Sequence, residues 1–187
     1  MTETRDDATA KRPGAAGEPR EVDPWRFLGK TLSGLIGGRL ASHPTHPPIP
    51  WVPVTSPLAA SRVALLSTAG ISMKGDSSFD MEGERRRPTW GDPSWRRVRS
   101  DATAADVEVN HLHINTEFIR RDLNVALPLD RLRELVADGV VGAMAETHYS
   151  TMGYQGSSTK VLEQETAPQI AAAMRSEEVD LALLAPV

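Results

Sequence analysis

The chain of 187 residues contains no cysteine. Disulfides, thiolate catalysis and Cys-ligated metal are therefore excluded among these residues, and the absence fits a cytoplasmic protein. There is no excess of positive charge. The formal net charge is −4, which gives a nucleic-acid partner no global electrostatic support. The opening residues MTETRDDATAKRPGAAGEPR carry no apolar stretch of the kind that marks a secretory signal. No hydrophobic run is long enough to span a bilayer. A glycine-rich turn directly ahead of a helix, as phosphate recognition wants, is also missing, and no internal repeat is evident.

What is present suffices for one sizeable core, or one core plus a loose tail, at 40% hydrophobic content. Residues 1–23 are rich in Ala, Gly, Pro and charge and read as a disordered tail. Residues 24–57 read as a helix and a Pro-rich linker. Trp25, Leu28, Leu32, Leu35 and Ile36 stand at helical spacing, weakened by Gly29, Gly34, Gly37 and Gly38. A membrane-surface helix and a helix docked on its own domain both fit, and the thin basic face favours docking. The segment His43–Pro57 is too proline-dense for regular helix. His43 and His46 there fit a solvated linker better than a metal site.

Residues 58–187 read as the N-terminal portion of an α/β domain. Strands are expected at Arg62–Ser67 (RVALLS), Asp106–Val109, Val140–Ala145 (VVGAMA) and Val179–Leu184 (VDLALL). Helices are expected at Leu129–Ala137, stopped by Gly139, and at Thr159–Ser176, where Pro168 splits the run or begins a second segment. Met73–Ser100 reads as a long loop with Trp90 and Trp95. Strands alternating with helices predict a mostly parallel sheet flanked by helices, and VDLALL brings the chain to a strand's carboxyl end, where ligands of open α/β sheets sit.

Reactive side chains follow several of these strands: Gly75–Asp80 after the first, His111 and His113 after the second, and Glu146, His148, Tyr149 and Ser150 after the third. In a parallel sheet these ends share one rim. His111-x-His113 places both imidazoles on one side of an extended chain. With His148 or Asp80 the pair would make a nitrogen–oxygen metal site. General acid–base or substrate-orienting work suits imidazole better, and a turn-capping role is the plain alternative. Asp122 and Asn124 fit a helix terminus or turn as well as a functional role, and the mixed charges of Glu82–Arg87 fit a solvated surface. Gly153, in the polar stretch His148–Tyr154, permits close backbone approach.

Taken in order, IPWVPV at Ile49–Val54, RVALLSTAGI at Arg62–Ile71, GDSSFD at Gly75–Asp80, the stretch Asn110–Gly142, HYSTMGY at His148–Tyr154 and Glu165–Val187 resemble the selenoprotein B family of the glycine, betaine, sarcosine and D-proline reductases, its D-proline reductase branch most closely. The resemblance covers roughly residues 48 to 187. It implies reductive cleavage of a carbon–nitrogen bond in a small amino acid or N-methylated amine. A pyruvoyl group on a partner subunit would activate the amine; this chain itself is expected to carry no cofactor and no metal. A selenolate would attack, and a dithiol would re-reduce the resulting selenide–sulfide. His111, His113, His148 and Tyr149 are then the expected catalytic groups. Thr68, Asp76, Ser77, Asp80, Asn124 and Gly153 are the expected substrate contacts.

In that family a strand like VDLALLAPV leads at once into a selenocysteine or cysteine. The expectation is therefore a sheet incomplete at its C-terminus, ending at a UGA codon read as a stop. The partners implied are a pyruvoyl-containing subunit or further copies of the chain. Two other classes also suit the residues: a short binding or assembly protein that keeps part of the fold, and a histidine-based metalloenzyme.

Overall fold

A computed structural model describes residues 29–41 and 52–187. The expected tail at 1–23 and the linker residues His43, His46 and Trp51 lie outside the described residues. The chain divides into two compact units, Met1–Trp51 and Val52–Val187. In the first, helix α1 spans Lys30–Ala41, with Leu32 and Leu35 exposed.

The second unit is built around one strand. β1 (Arg62–Ser67) alternates its side chains between two cores. Val63 and Leu65 enter a large aliphatic cluster with Ile119, Leu127, Leu129 and Leu132. Ala64 enters a smaller cluster with Tyr149 and Ile170. Both faces are thus covered, which is why RVALLS is nearly continuous in apolar residues.

β1 pairs in parallel with β5 (Ala143–Met144), β6 (Thr147–Thr151) and β7 (Leu181–Ala185). β3 (Trp95–Arg99) lies antiparallel on the far side of β6. The sheet is therefore mixed and mostly parallel. A second, two-stranded antiparallel ribbon joins β2 (Ile71–Met73) to β4 (Val107–Val109). The strand expected at 106–109 thus belongs to this ribbon and not to the main sheet.

The expected long loop Met73–Ser100 also holds regular structure: β2 ends it at one side, and α2 (Met81–Arg86) and β3 lie within it. Alternation fails as a signal in WRRVR because Val98 alone is buried there. After β4 come α3 (Glu117–Arg121), a 3-10 turn at Leu123–Val125, and α4 (Leu129–Ala137), after which Gly139 turns the chain at φ +70°. The Thr159–Ser176 run contains a π-turn at Leu162–Thr166 followed by α5 (Ala167–Ser176). Pro168 stands in the first turn of α5, where its missing N–H breaks the α ladder and the turn before it widens.

The expected strand at 140–145 is reduced to Ala143–Met144, and the chain runs on into β6. Between the two registers, Ala64 and Leu65 of β1 face the four residues 145–148. The strand bulges there by two residues. His148 closes the gap: its Nδ1 accepts the Leu65 N–H at 2.9 Å, standing in for a backbone carbonyl.

Candidate active site

Three strand exits meet at one place. β1 leaves through Thr68-Ala69-Gly70. Gly70 adopts φ +65°, and a Cβ there would overlap the Asn110 carbonyl and Met152 Sδ. Only glycine allows so close an approach in that conformation. The Gly70 N–H donates to Thr151 O at 3.0 Å, and Asn110 N–H donates to Gly70 O at 2.8 Å. The ends of β1, β4 and β6 are thereby tied together.

β7 arrives at the same edge. The Val187 N–H donates to Thr68 Oγ1 at 2.8 Å. A Cβ at Gly153 would lie 3.2 Å from Thr68 O, Thr68 Oγ1 and Val187 O. Thr68 and Gly153, expected from sequence to touch substrate, are brought side by side at the carboxyl ends of parallel strands.

One residue on, the Tyr154 ring lies 4.7 Å from the His113 ring. His113 Nε2 is 2.6 Å from Glu84 Oε1. The His111 ring meets His113 edge-on at 5.9 Å, and His111 Nδ1 accepts the His113 backbone N–H at 3.1 Å. Burial, reinforced by the charge of His113, lowers the affinity of His111 for a proton. His111 is therefore neutral and fixed, while the His113 side chain is 52% exposed.

Glu84 was not expected from sequence. Its side chain is 2% exposed, although the mixed charges of Glu82–Arg87 predict a solvated surface. The correction has a local cause. Asp80 caps α2 by accepting the Gly83 N–H at 2.7 Å. Asp92, itself buried, accepts the Asp80 N–H at 2.8 Å and both donors of Ser94. The inward side of α2 is then Gly83 and Glu84, and polar composition hides that face. Asp80 before MEGERR was the available signal for a helix start.

Other expected site residues stand elsewhere. His148 and Tyr149 lie inside β6 and are fully buried, so they do not follow the strand onto the rim. Burial pushes the His148 imidazole down to about 4. It pushes the Tyr149 phenol up to about 12, with the Glu177 charge adding to the rise, and the phenol hydroxyl donates to Glu177 Oε1 at 3.4 Å. Asn124 accepts the Asp130 N–H at 2.9 Å and donates to Asp122 Oδ1 and Asp130 Oδ2, closing the start of α4. Asp76 and Ser77 occupy the exposed loop between β2 and α2, where Ser77 O accepts from Arg96 Nε at 2.5 Å. Asp80 serves as the cap described above.

Among the described residues no group of three or more His, Asp or Glu side chains is placed to hold a metal ion. Neither His148 nor Asp80 completes a set with His111 and His113. Surface cavities of about 360 and 280 Å³ lie away from the strand exits, one lined by Arg62, Ala143 and Asp180 at the amino ends of β1, β5 and β7, the other by Trp95, Val161 and Gln169. No described helix is long and apolar enough to cross a membrane.

Fold and site together define an α/β domain with the candidate site at the carboxyl ends of its parallel strands, the edge at which open α/β sheets place ligands. The chain belongs to the glycine/sarcosine/betaine reductase selenoprotein B family, whose model matches residues 42–186. It is 35% identical over 141 residues to the D-proline reductase subunit gamma of Acetoanaerobium sticklandii, covering 75% of this chain and 54% of that protein. It is 28% identical over 141 residues to the glycine reductase complex component B subunit gamma of Carboxydothermus hydrogenoformans, covering 75% of this chain and 31% of that protein. The corresponding subunit of Symbiobacterium thermophilum is 26% identical over 142 residues, with 75% and 32% covered. The chain thus spans about half the length of the D-proline reductase subunit and about a third of the two glycine reductase subunits. No solved structure matches it significantly.

Proposed function

We propose that this chain supplies the substrate-facing edge of a reductase that cleaves a carbon–nitrogen bond in a small amino acid or N-methylated amine. Family membership supports the chemistry. The observation that carries it onto particular residues is the meeting of Thr68, Gly153 and Val187 at the strand exits, with the next residue, Tyr154, packed on His113 of the His111–His113 pair. The reaction needs a selenolate or thiolate nucleophile and a dithiol reductant. Neither selenocysteine nor cysteine is among these 187 residues, so the proposal places the nucleophile on a part of the reductase outside them.

The edge fits such a group. Val187 N–H is held by Thr68 Oγ1, and the missing Cβ of Gly153 leaves room beside Val187 O. A chalcogenol entering there from the end of β7 would meet the polar rim. The proposal assigns activation of the amine to a pyruvoyl group on a partner subunit. It places the assembly in the cytoplasm, where dithiols keep such nucleophiles reduced.

The codons that follow Val187 in the gene test the first part. An in-frame UGA or cysteine codon followed by matching family sequence is the expected result. A TAA or TAG codon with no such sequence downstream overturns it. The full reading frame, assembled with its partner subunits and a dithiol, is expected to consume D-proline, glycine, sarcosine or betaine. A second reading, a binding or assembly protein that keeps part of the fold, is favoured by the lack of cysteine. It would show as amine binding in calorimetry without turnover by the assembled complex.

A further inference from the structure

We infer that Glu84 positions His113 as the proton donor to the nitrogen released in the proposed cleavage; this rests on the reductase reading above. The two acids of α2 make the contrast. Glu82 is exposed and paired with Arg85 and Arg86, the ordinary solution for a helix surface. Glu84 is buried and, among the described residues, has no Arg or Lys partner and is bonded to no side chain but His113. Its Oε2 is buried with no hydrogen-bond partner. A buried carboxylate is costly unless its partner is a charged or strongly polarised donor. The fold nevertheless spends a capped helix turn and the buried Asp92 on holding it.

His113 is fixed from three directions. Glu84 holds Nε2, the Tyr154 ring packs against it at a tilt with centroids 4.7 Å apart, and the His111 ring meets it edge-on. With Nε2 bonded to Glu84, Nδ1 is the nitrogen left for a ligand, and no described protein group hydrogen-bonds it. A carboxylate behind one imidazole nitrogen fixes the ring's orientation and keeps a proton on that nitrogen. The Tyr154 ring packed on His113 belongs to the residue after Gly153, and Gly153 itself lies against Thr68 and Val187 at the strand exits. His148, the other buried imidazole, is enclosed in the sheet with Nδ1 committed to Leu65.

As the carbon–nitrogen bond breaks, its electron pair stays on nitrogen. The imidazolium gives its Nδ1 proton to that nitrogen and becomes neutral imidazole. The chalcogenolate of the proposed reaction bonds to the carbon as the nitrogen leaves. One thiolate of the dithiol then attacks the chalcogen, and the chalcogen–carbon electron pair goes to carbon, which takes a proton from solvent. The second thiol releases the chalcogenolate as the dithiol becomes a disulfide. Glu84 keeps its hydrogen bond to Nε2 throughout and touches no substrate, so it is a positioning residue. His113 is the catalytic one.

Two measurements test this. Imidazole nitrogen–proton NMR on the labelled 187-residue chain is expected to show His113 with a hydrogen-bonded, slowly exchanging Nε2 proton. In the isosteric Glu84→Gln variant that signal should shift and exchange at the solvent rate, while the amide spectrum stays native. In the assembled full-length reductase, Glu84→Gln and His113→Gln should lower kcat on the order of 100-fold with KM within about twofold, and Glu84→Asp should recover part of the loss. An Nε2 signal unchanged in Glu84→Gln overturns the pairing. A lost signal with kcat unchanged overturns the catalytic role. A wild-type complex inactive on all four amines overturns the reductase reading instead, and the NMR result then still decides whether Glu84 holds His113.

Discussion

His148 does for the sheet what a backbone carbonyl would do in a regular ladder, and that fixes its protonation state. Nδ1 must stay bare to accept from Leu65 N–H. Burial pushes the group down to about 4 from an ordinary 6.5. The unfolded chain therefore takes up this proton at higher pH than the folded one. The stabilisation is complete above pH 6.5 and is lost as pH falls toward 4, by about 3 kcal/mol in all. Urea unfolding at pH 7 and pH 4.5 should show the loss, and His148→Asn, which keeps an acceptor but does not titrate, should flatten it. His148→Leu leaves the Leu65 N–H buried and unpaired, and should cost about 1–3 kcal/mol at pH 7. Gly70 is the second sensitive residue. Gly70→Ala meets both a left-handed backbone and the Asn110 carbonyl, so a loss of about 3 kcal/mol or more in the same assay is expected.

At the scale of elements, the site depends on a six-residue helix with little stability of its own. Its anchor is the Asp80 side chain on Gly83 N–H. Asp80→Ala should cost about 1 kcal/mol in urea unfolding and broaden the His113 imidazole signals, because Glu84 loses its seat. The long elements were readable in advance. β1, α4 and the helix ending at Ser176 carry strong apolar periodicity, and Gly139 and Pro168 mark a stop and a change of turn. The short ones were not. α2 presents Gly83 and Glu84 inward, and β3 is mostly arginine around one buried valine. The bulge between β5 and β6 is invisible for a different reason. It arises from the register that β1 imposes on 143–151, which no local window contains.

Across the whole second unit, the sheet is covered on both faces at β1 but not at β7, whose outer edge pairs with no strand among the described residues. Leu183 and Leu184 are 49% and 64% exposed on that strand. An apolar edge strand with free backbone groups pairs with other chains. The 187-residue chain should therefore associate with rising concentration in sedimentation velocity, and Leu184→Lys should suppress this without lowering thermal stability.

Of the expected site, Thr68 and Gly153 lie side by side at the carboxyl ends of β1 and β6, and His111 and His113 lie together just after β4. His148 and Tyr149 do not join them, because the third strand begins later than its apolar run suggests. The order of strands and helices, the covered central strand and the family were set by the sequence itself, since periodicity and ordered motifs are properties of neighbouring residues. Which carboxylate stands behind His113, and which histidine is sealed inside the sheet, were decided only by the tertiary structure. Burial and hydrogen-bond partnership across 29 or 83 residues depend on how distant strands register, and that is a property of the packed chain.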